Sequence, residues 1–136
     1  MVFMIRGTNQ EFRFKLPYAF AEISQLKIKF WQDNYNGPTK YRPLPIIKVK
    51  EQCQCVDSNQ CSVTLNQEET LRFSDKRKAK VQLRGITQYW VPFATKERII
   101  NIEPVADDSI LEGDIVPTPT YDEFIVLDGQ PIIQGE

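Results

Sequence analysis

The chain predicts an all-β fold: an immunoglobulin-like antiparallel β-sandwich with one short connecting helical turn and an extended C-terminal arm. Three observations carry that expectation. Short runs in which apolar and polar residues alternate recur through roughly the first hundred positions, which is the period of a strand with one buried face. Turn-forming clusters separate the runs, and the composition changes after Pro104. The boundary is therefore drawn between a sandwich domain, residues 1–106, and an acidic linker and interaction arm, residues 107–136.

In chain order, Phe12, Phe14 and Leu16 alternate with Glu11, Arg13 and Lys15. Leu26, Ile28 and Phe30 alternate with Lys27 and Lys29, Val63 and Leu65 with Ser62 and Thr64, and Val81 and Leu83 with Lys80, Gln82 and Arg84. Ile46, Ile47 and Val49, and Ile99, Ile100 and Ile102, make weaker strands. Six or seven short strands of this kind point to a sandwich. The turns are Gly7-Thr8-Asn9, Asn34 to Pro38, Asp57-Ser58-Asn59 and Ser74-Asp75-Lys76, so neighbouring strands are expected to pair antiparallel. Pro43 and Pro45 bracket Leu44 and supply no ladder donors, which places that stretch at a sheet edge. Asn66-Gln67-Glu68-Glu69 has the spacing of a capping box, with Leu71 and Phe73 following, and predicts a single helical turn crossing between the two sheets.

After Pro104 the residues from Asp107 to Asp114 are acidic, and Val116-Pro117-Thr118-Pro119-Thr120 reads as an extended spacer. Phe124-Ile125-Val126-Leu127 and Pro131-Ile132-Ile133 flank Asp128-Gly129, a tight-hairpin signal. A two-stranded hairpin is marginal by itself, so a neighbouring subunit is the expected host for Phe124, Ile125, Val126, Leu127, Ile132 and Ile133.

Charge sharpens this division. All 17 lysines and arginines lie at or before Arg98 with nine of the 18 carboxylates, giving residues 1–98 a net charge of +8 and residues 99–136 a net charge of −9. Such asymmetry points to an interaction arm, the tail of one copy meeting the body of another. At 136 residues, 41% hydrophobic and 26% charged, the chain fits one globular domain with an appendage. No window approaches the apolar length of a membrane span, and Met1 to Arg6 carry no basic leader, so neither membrane insertion nor export through a signal peptide is expected.

Little in the chain resembles catalytic chemistry. There is no histidine, the commonest general base. The paired carboxylates Glu68-Glu69 and Asp107-Asp108 fall at a helix start and in a polar linker, where solvation explains them. Cys53, Cys55 and Cys61 lack a fourth zinc ligand. A Cys53–Cys61 or Cys55–Cys61 bridge across a turn is geometrically open, although three reduced structural thiols are the expectation. No catalytic residue, cofactor or metal is assigned. Lys76, Arg77, Lys78 and Lys80 form a basic run at a turn, read first as a solvated turn and next as a dock for the acidic arm. Nucleic acid is not the expected partner, because stacking aromatics are not interleaved there. Tyr89, Trp90 and Phe93, with Trp31 and Tyr35, are expected to serve chiefly in core and turn packing, with interface anchoring as the alternative. Trp31 is the best interface candidate, since its register sets it opposite Leu26, Ile28 and Phe30.

Three segments together resemble a group of small bacteriophage-encoded structural proteins: Met4-Ile5-Arg6-Gly7-Thr8 with Phe12-Arg13-Phe14-Lys15-Leu16-Pro17-Tyr18, then Val63 to Phe73, then Val81-Gln82-Leu83-Arg84. The resemblance covers roughly residues 4–112. The proline-rich stretch from Asn34 to Glu51 departs from the group, and the arm from Val116 onward has no counterpart in it. Members begin at the residue matching Met4, so the first three residues are either an upstream start or an extra edge extension. The resemblance implies a virion component, made in the bacterial host cytoplasm, that forms homo-oligomers and joins other virion proteins in head, neck, tail or baseplate. The alternative is an adaptor that attaches a fibre, or a module that recognises host surface carbohydrate or protein.

Overall fold

The computed structural model describes residues 2–38 and 41–104, together with the backbone of Ile125–Val126. Among the described residues the strands are β1 (Val2–Ile5), β2 (Gln10–Lys15), β3 (Ile23–Trp31), β4 (Ile46–Val49), β5 (Gln54–Asp57), β6 (Gln60–Leu65), β7 (Ala79–Thr87), β8 (Pro92–Ala94), β9 (Arg98–Glu103) and β10 (Ile125–Val126). A helical turn, α1 (Gln67–Leu71), joins β6 to β7, and 3-10 turns occupy Phe20–Glu22 and Lys50–Gln52.

Two sheets pack face to face. The larger has the order β1-β9-β7-β3-β4, with β8 beside the C-terminal end of β7, and the smaller has the order β10-β2-β6-β5. This is immunoglobulin-like connectivity: β2, β6 and β5 take the places of strands B, E and D, and β9, β7, β3 and β4 those of G, F, C and C′. Two pairings depart from the all-antiparallel expectation. β1 runs parallel to β9, and β10 runs parallel to β2. Short turns between neighbouring runs imply antiparallel pairs, but both of these join strands about a hundred residues apart, which hairpin logic does not reach. Val2 and Phe3 pair with Ile100 and Asn101, so the first residues extend the edge strand β1.

Alternation in the sequence becomes burial in the fold. Phe12 and Phe14 of β2 point inward against Phe30 of β3, with ring centroids 5.4 and 6.4 Å apart. Ile28, Val63, Val81, Leu83 and Ile100 close the same core. Fully burying such side chains contributes about 1.5–3 kcal/mol each. Pro45 precedes β4, the outer strand of the larger sheet, in keeping with the edge expected there.

The capping box forms as its spacing implies. The Asn66 side chain accepts from Glu69 N at 2.9 Å and Glu69 Oε1 accepts from Asn66 N at 3.0 Å. The other Glu69 oxygen accepts from Lys48 Nζ at 2.8 Å, tying the helical turn to β4. Thr70 Oγ1 accepts from Gly7 N at 3.0 Å and donates to Thr8 O at 2.9 Å, anchoring the turn between β1 and β2, where Gly7 takes φ 81°. The crossover is thus fixed to both sheets. All three cysteines are free thiols, with Cys61 buried and Cys55 exposed. A hydrogen bond between Cys53 and Cys61, then burial, pushes the Cys61 thiol up, and that same bond lowers Cys53.

Candidate interaction surface

The outward face of the larger sheet is built by the alternation that fills the core. On β3 the residues between buried positions are Lys27, Lys29 and Trp31, and on β7 they are Lys80, Gln82 and Arg84. The antiparallel register sets them in rungs: Trp31 beside Lys80, Lys29 beside Gln82, and Lys27 beside Arg84. β4 adds Ile47 next to Lys29 and Val49 next to Lys27. On the other side Ile99 lies next to Lys80, and Phe3 of β1 next to Asn101. Phe3, Ile5, Ile47 and Ile99 are exposed large apolar side chains. The result is a mixed basic and apolar surface.

The sequence candidates fall into two groups on it. Trp31, Arg77 and Lys80 converge on Asp33, which the sequence reading did not single out. Asp33 accepts from Lys80 Nζ at 2.6 Å and from Trp31 Nε1 at 3.2 Å, and its carbonyl accepts from Arg77 Nη1 at 3.2 Å. The Lys80 ammonium and then the indole hold the Asp33 carboxyl below its ordinary value, and Asp33 raises Lys80 in return. Arg77 also lies 5.6 Å from the Tyr35 ring centroid, and Lys29 5.0 Å from that of Trp31. Two of the four cations in the basic run are therefore engaged within the chain, whereas Lys76 and Lys78 point into solvent without an ion pair among the described residues. Gln32 holds this turn in place. Its buried amide donates to Ser74 O and Arg77 O, each at 2.9 Å, and accepts from Ser74 N at 2.8 Å.

Lys27 and Arg84 are the pair that sequence reasoning missed. They face each other across β3 and β7, both exposed, and neither has an ion-pair partner among the described residues. Like charges directly opposed destabilise a sheet. A cavity of about 530 Å³ opens beside them, lined also by Val49, Glu51, Ile86 and Pro92. The alternation placed each cation on an outward face, but only the register of two distant strands could bring them together.

Phe93 is buried as expected, with its ring 5.3 Å from Tyr18, but Tyr89 and Trp90 are not core or turn packing: they are 73% and 78% exposed. The turn that carries them is tightly held. Thr87 Oγ1 accepts from Tyr89 N and Val91 N at 3.3 and 3.2 Å, Gln88 N donates to Glu22 O at 2.7 Å, and Trp90 takes φ 65°. Those bonds occupy the backbone and leave both rings outward.

Of the arm candidates, Phe124, Leu127, Ile132 and Ile133 lie outside the described residues, as does the hairpin expected around Asp128-Gly129. Ile125 and Val126 form β10, aligned with Phe14 and Lys15 of the same chain. Among the described residues no group of three or more acidic, cysteine or histidine side chains is placed to share a metal ion, and no helix is long and apolar enough to cross a membrane. In comparisons of the chain with protein-family models, curated proteins and solved structures, nothing matches.

Proposed function

We propose that the protein is a bacteriophage virion structural protein, a β-sandwich subunit that assembles with itself and with other virion proteins in head, neck, tail or baseplate. It would be made in the host cytoplasm and end in the particle, with no catalysis and no cofactor. The observation that carries this reading is the outward face of the larger sheet. Its opposed Lys27 and Arg84, neither in an ion pair among the described residues, stand among exposed Phe3, Ile47 and Ile99, while the last 38 residues carry a net charge of −9. A surface of this kind gains by being covered, and oppositely charged segments of neighbouring copies supply the complement. The test is a Lys27→Glu/Arg84→Glu variant, whose changes lie on exposed positions and should leave the fold intact. Ordered oligomers formed by the unaltered chain should be lost in the variant, as seen by light scattering and negative-stain imaging. Unchanged oligomers would rule this face out as the contact.

A second reading, an adaptor that attaches a fibre or a module that binds host surface carbohydrate or protein, is favoured by the Tyr89-Trp90 turn. Exposed aromatic rings on a fixed backbone suit stacking against a sugar or anchoring in a partner's pocket. Titration with oligosaccharides, followed by tryptophan fluorescence, separates the readings. A saturable change abolished by Trp90→Ala supports recognition, and a flat response removes its carbohydrate form.

A further inference from the structure

We infer that the outer edge of β2 is an exchangeable strand-acceptor site, and that its occupant, the C-terminal strand β10, passes from its own chain to a second copy when copies are held close together. This rests on the reading of the protein as an assembling subunit and names where one copy would enter the next.

In the ABED sheet of an immunoglobulin-like sandwich, strand A lies beside strand B. Here the N-terminal strand β1 joins the other sheet, beside β9, and the place next to β2 falls to a segment from the opposite end of the chain. Among the described residues β10 pairs with the Phe14 and Lys15 positions, and no other described strand flanks β2 on that side. Other edge strands carry features that blunt an edge: Pro45 precedes β4, β8 begins at Pro92, and β5 has a bulge between Cys55 and Asp57, while β1 is four residues long. β2 has none of these features. Its register with β6 is unbroken from Gln10↔Leu65 to Lys15↔Gln60, and Phe12 and Phe14 are fully buried, so the edge is rigid and straight. A straight edge of this sort accepts an added strand through backbone hydrogen bonds.

The tether does not select which copy is served. Residues 105–124, 20 in number, separate Pro104 from β10. A segment of that many residues spans at most about 66 Å. A tether of that length holds its strand at an effective concentration on the order of 1 mM. In dilute solution the strand therefore stays on its own β2. Where neighbouring copies present their β2 edges at comparable local concentration, own and foreign edges compete on equal terms.

The experiment uses the full chain with Cys53→Ser and Cys55→Ser, leaving the buried Cys61. One variant adds Lys15→Cys, a second adds Val126→Cys, and a third carries both. The doubly substituted chain at about 10 μM should form the 15–126 disulfide within itself, since that lies far below the effective concentration of the tether. An equimolar mixture of the single variants, oxidised at total concentrations from about 10 μM to about 1 mM, should give 15–126 cross-linked heterodimers whose share rises at least about tenfold across that range. Isotope-filtered contacts between the Phe14–Lys15 and Ile125–Val126 backbones, in a mixture of labelled and unlabelled chain at both concentrations, read the same exchange without engineered thiols. If these contacts and the disulfide stay within one chain up to about 1 mM, or are found nowhere, the inference falls. Negative-stain imaging of the unaltered chain keeps the two claims apart. Ordered oligomers with strictly intrachain pairing would overturn the exchange and leave the assembly reading standing, whereas exchange without ordered oligomers would do the reverse.

Discussion

A methyl group added at Gly85 would overlap Gln25 O and lie 2.8 Å from Phe93 Cζ, closer than side-chain carbons come to such atoms. The β3 irregularity between Ile23 and Gln25 and the Phe93 ring press on that position from two elements. Gly85→Ala should therefore lower stability by about 1–3 kcal/mol in denaturant titration, the usual range for overpacking, and an unchanged midpoint would mean the contact yields freely. Nothing in the local sequence announces this. Glycine inside a strand signals close approach in general, while the atoms that approach come from positions 25 and 93. Asn66 is the opposite case, because both partners of its cap sit within four residues and the spacing alone specifies them. A second residue-scale expectation concerns acid. The Arg72 guanidinium, bonded to Glu68 through Nε at 3.1 Å and through Nη2, holds the Glu68 carboxyl below its ordinary value. A carboxyl lowered in the folded state stabilises above its unfolded value and loses that contribution as pH falls through the folded one. The stability gap between the unaltered chain and Glu68→Gln should thus be open near neutrality and close below about pH 4.5. Thermal melts at stepped pH measure it, and a gap independent of pH would contradict the assignment.

At the scale of elements, the long alternating strands were legible and the short or distant ones were not. β2, β3 and β7 alternate buried with more exposed positions, and β6 keeps Cys61, Val63 and Leu65 buried with only Ser62 buried on its other side, so period two betrays them. β5 is exposed at all four positions and β8 is three residues long, leaving no alternation to read. The pairings of β1 with β9 and of β10 with β2 escaped because parallel pairing leaves no hairpin turn in the sequence: Ile125 and Val126 read as part of a hairpin hosted by a neighbouring subunit, and they pair with β2 of their own chain. α1 was specified by its cap, and the structure adds the reason for its rigidity, since Lys48 and the turn between β1 and β2 both bind it. Asn66→Ala should cost about 1 kcal/mol, the ordinary loss for a cap, without altering oligomeric state. Calorimetry together with sedimentation decides the matter. Unchanged stability with altered assembly would make this crossover a contact surface instead of a connector. The Tyr89-Trp90 turn departs from expectation for a physical reason as well: large aromatics favour burial on average, whereas this turn, held locally by the Thr87 hydroxyl and tied to distant Glu22 through Gln88 N, carries both rings exposed.

For the whole molecule, the governing feature is the separation of charge between body and tail, legible from the sequence alone. What the sequence could not supply is where the positive charge is free. Of the basic run, Arg77 and Lys80 are engaged by Asp33, and Lys27 and Arg84 meet only through folding. Exposed ion pairs are individually worth at most about 1 kcal/mol and are screened by salt, so charge should steer docking while apolar burial holds it. Neutralising Asp107, Asp108, Glu112 and Asp114 should accordingly slow assembly at low salt and have little effect at high salt. Light-scattering kinetics at the two ionic strengths measure this, and an equal effect at both would mean that these carboxylates do more than steer. The most direct test of the account compares the full chain with one ending at Val116, each first shown to unfold cooperatively, by light scattering and negative-stain imaging at low and high ionic strength. The account predicts ordered oligomers from the full chain and their severe loss from the shortened one at both ionic strengths, whereas normal particles from the shortened chain would contradict it.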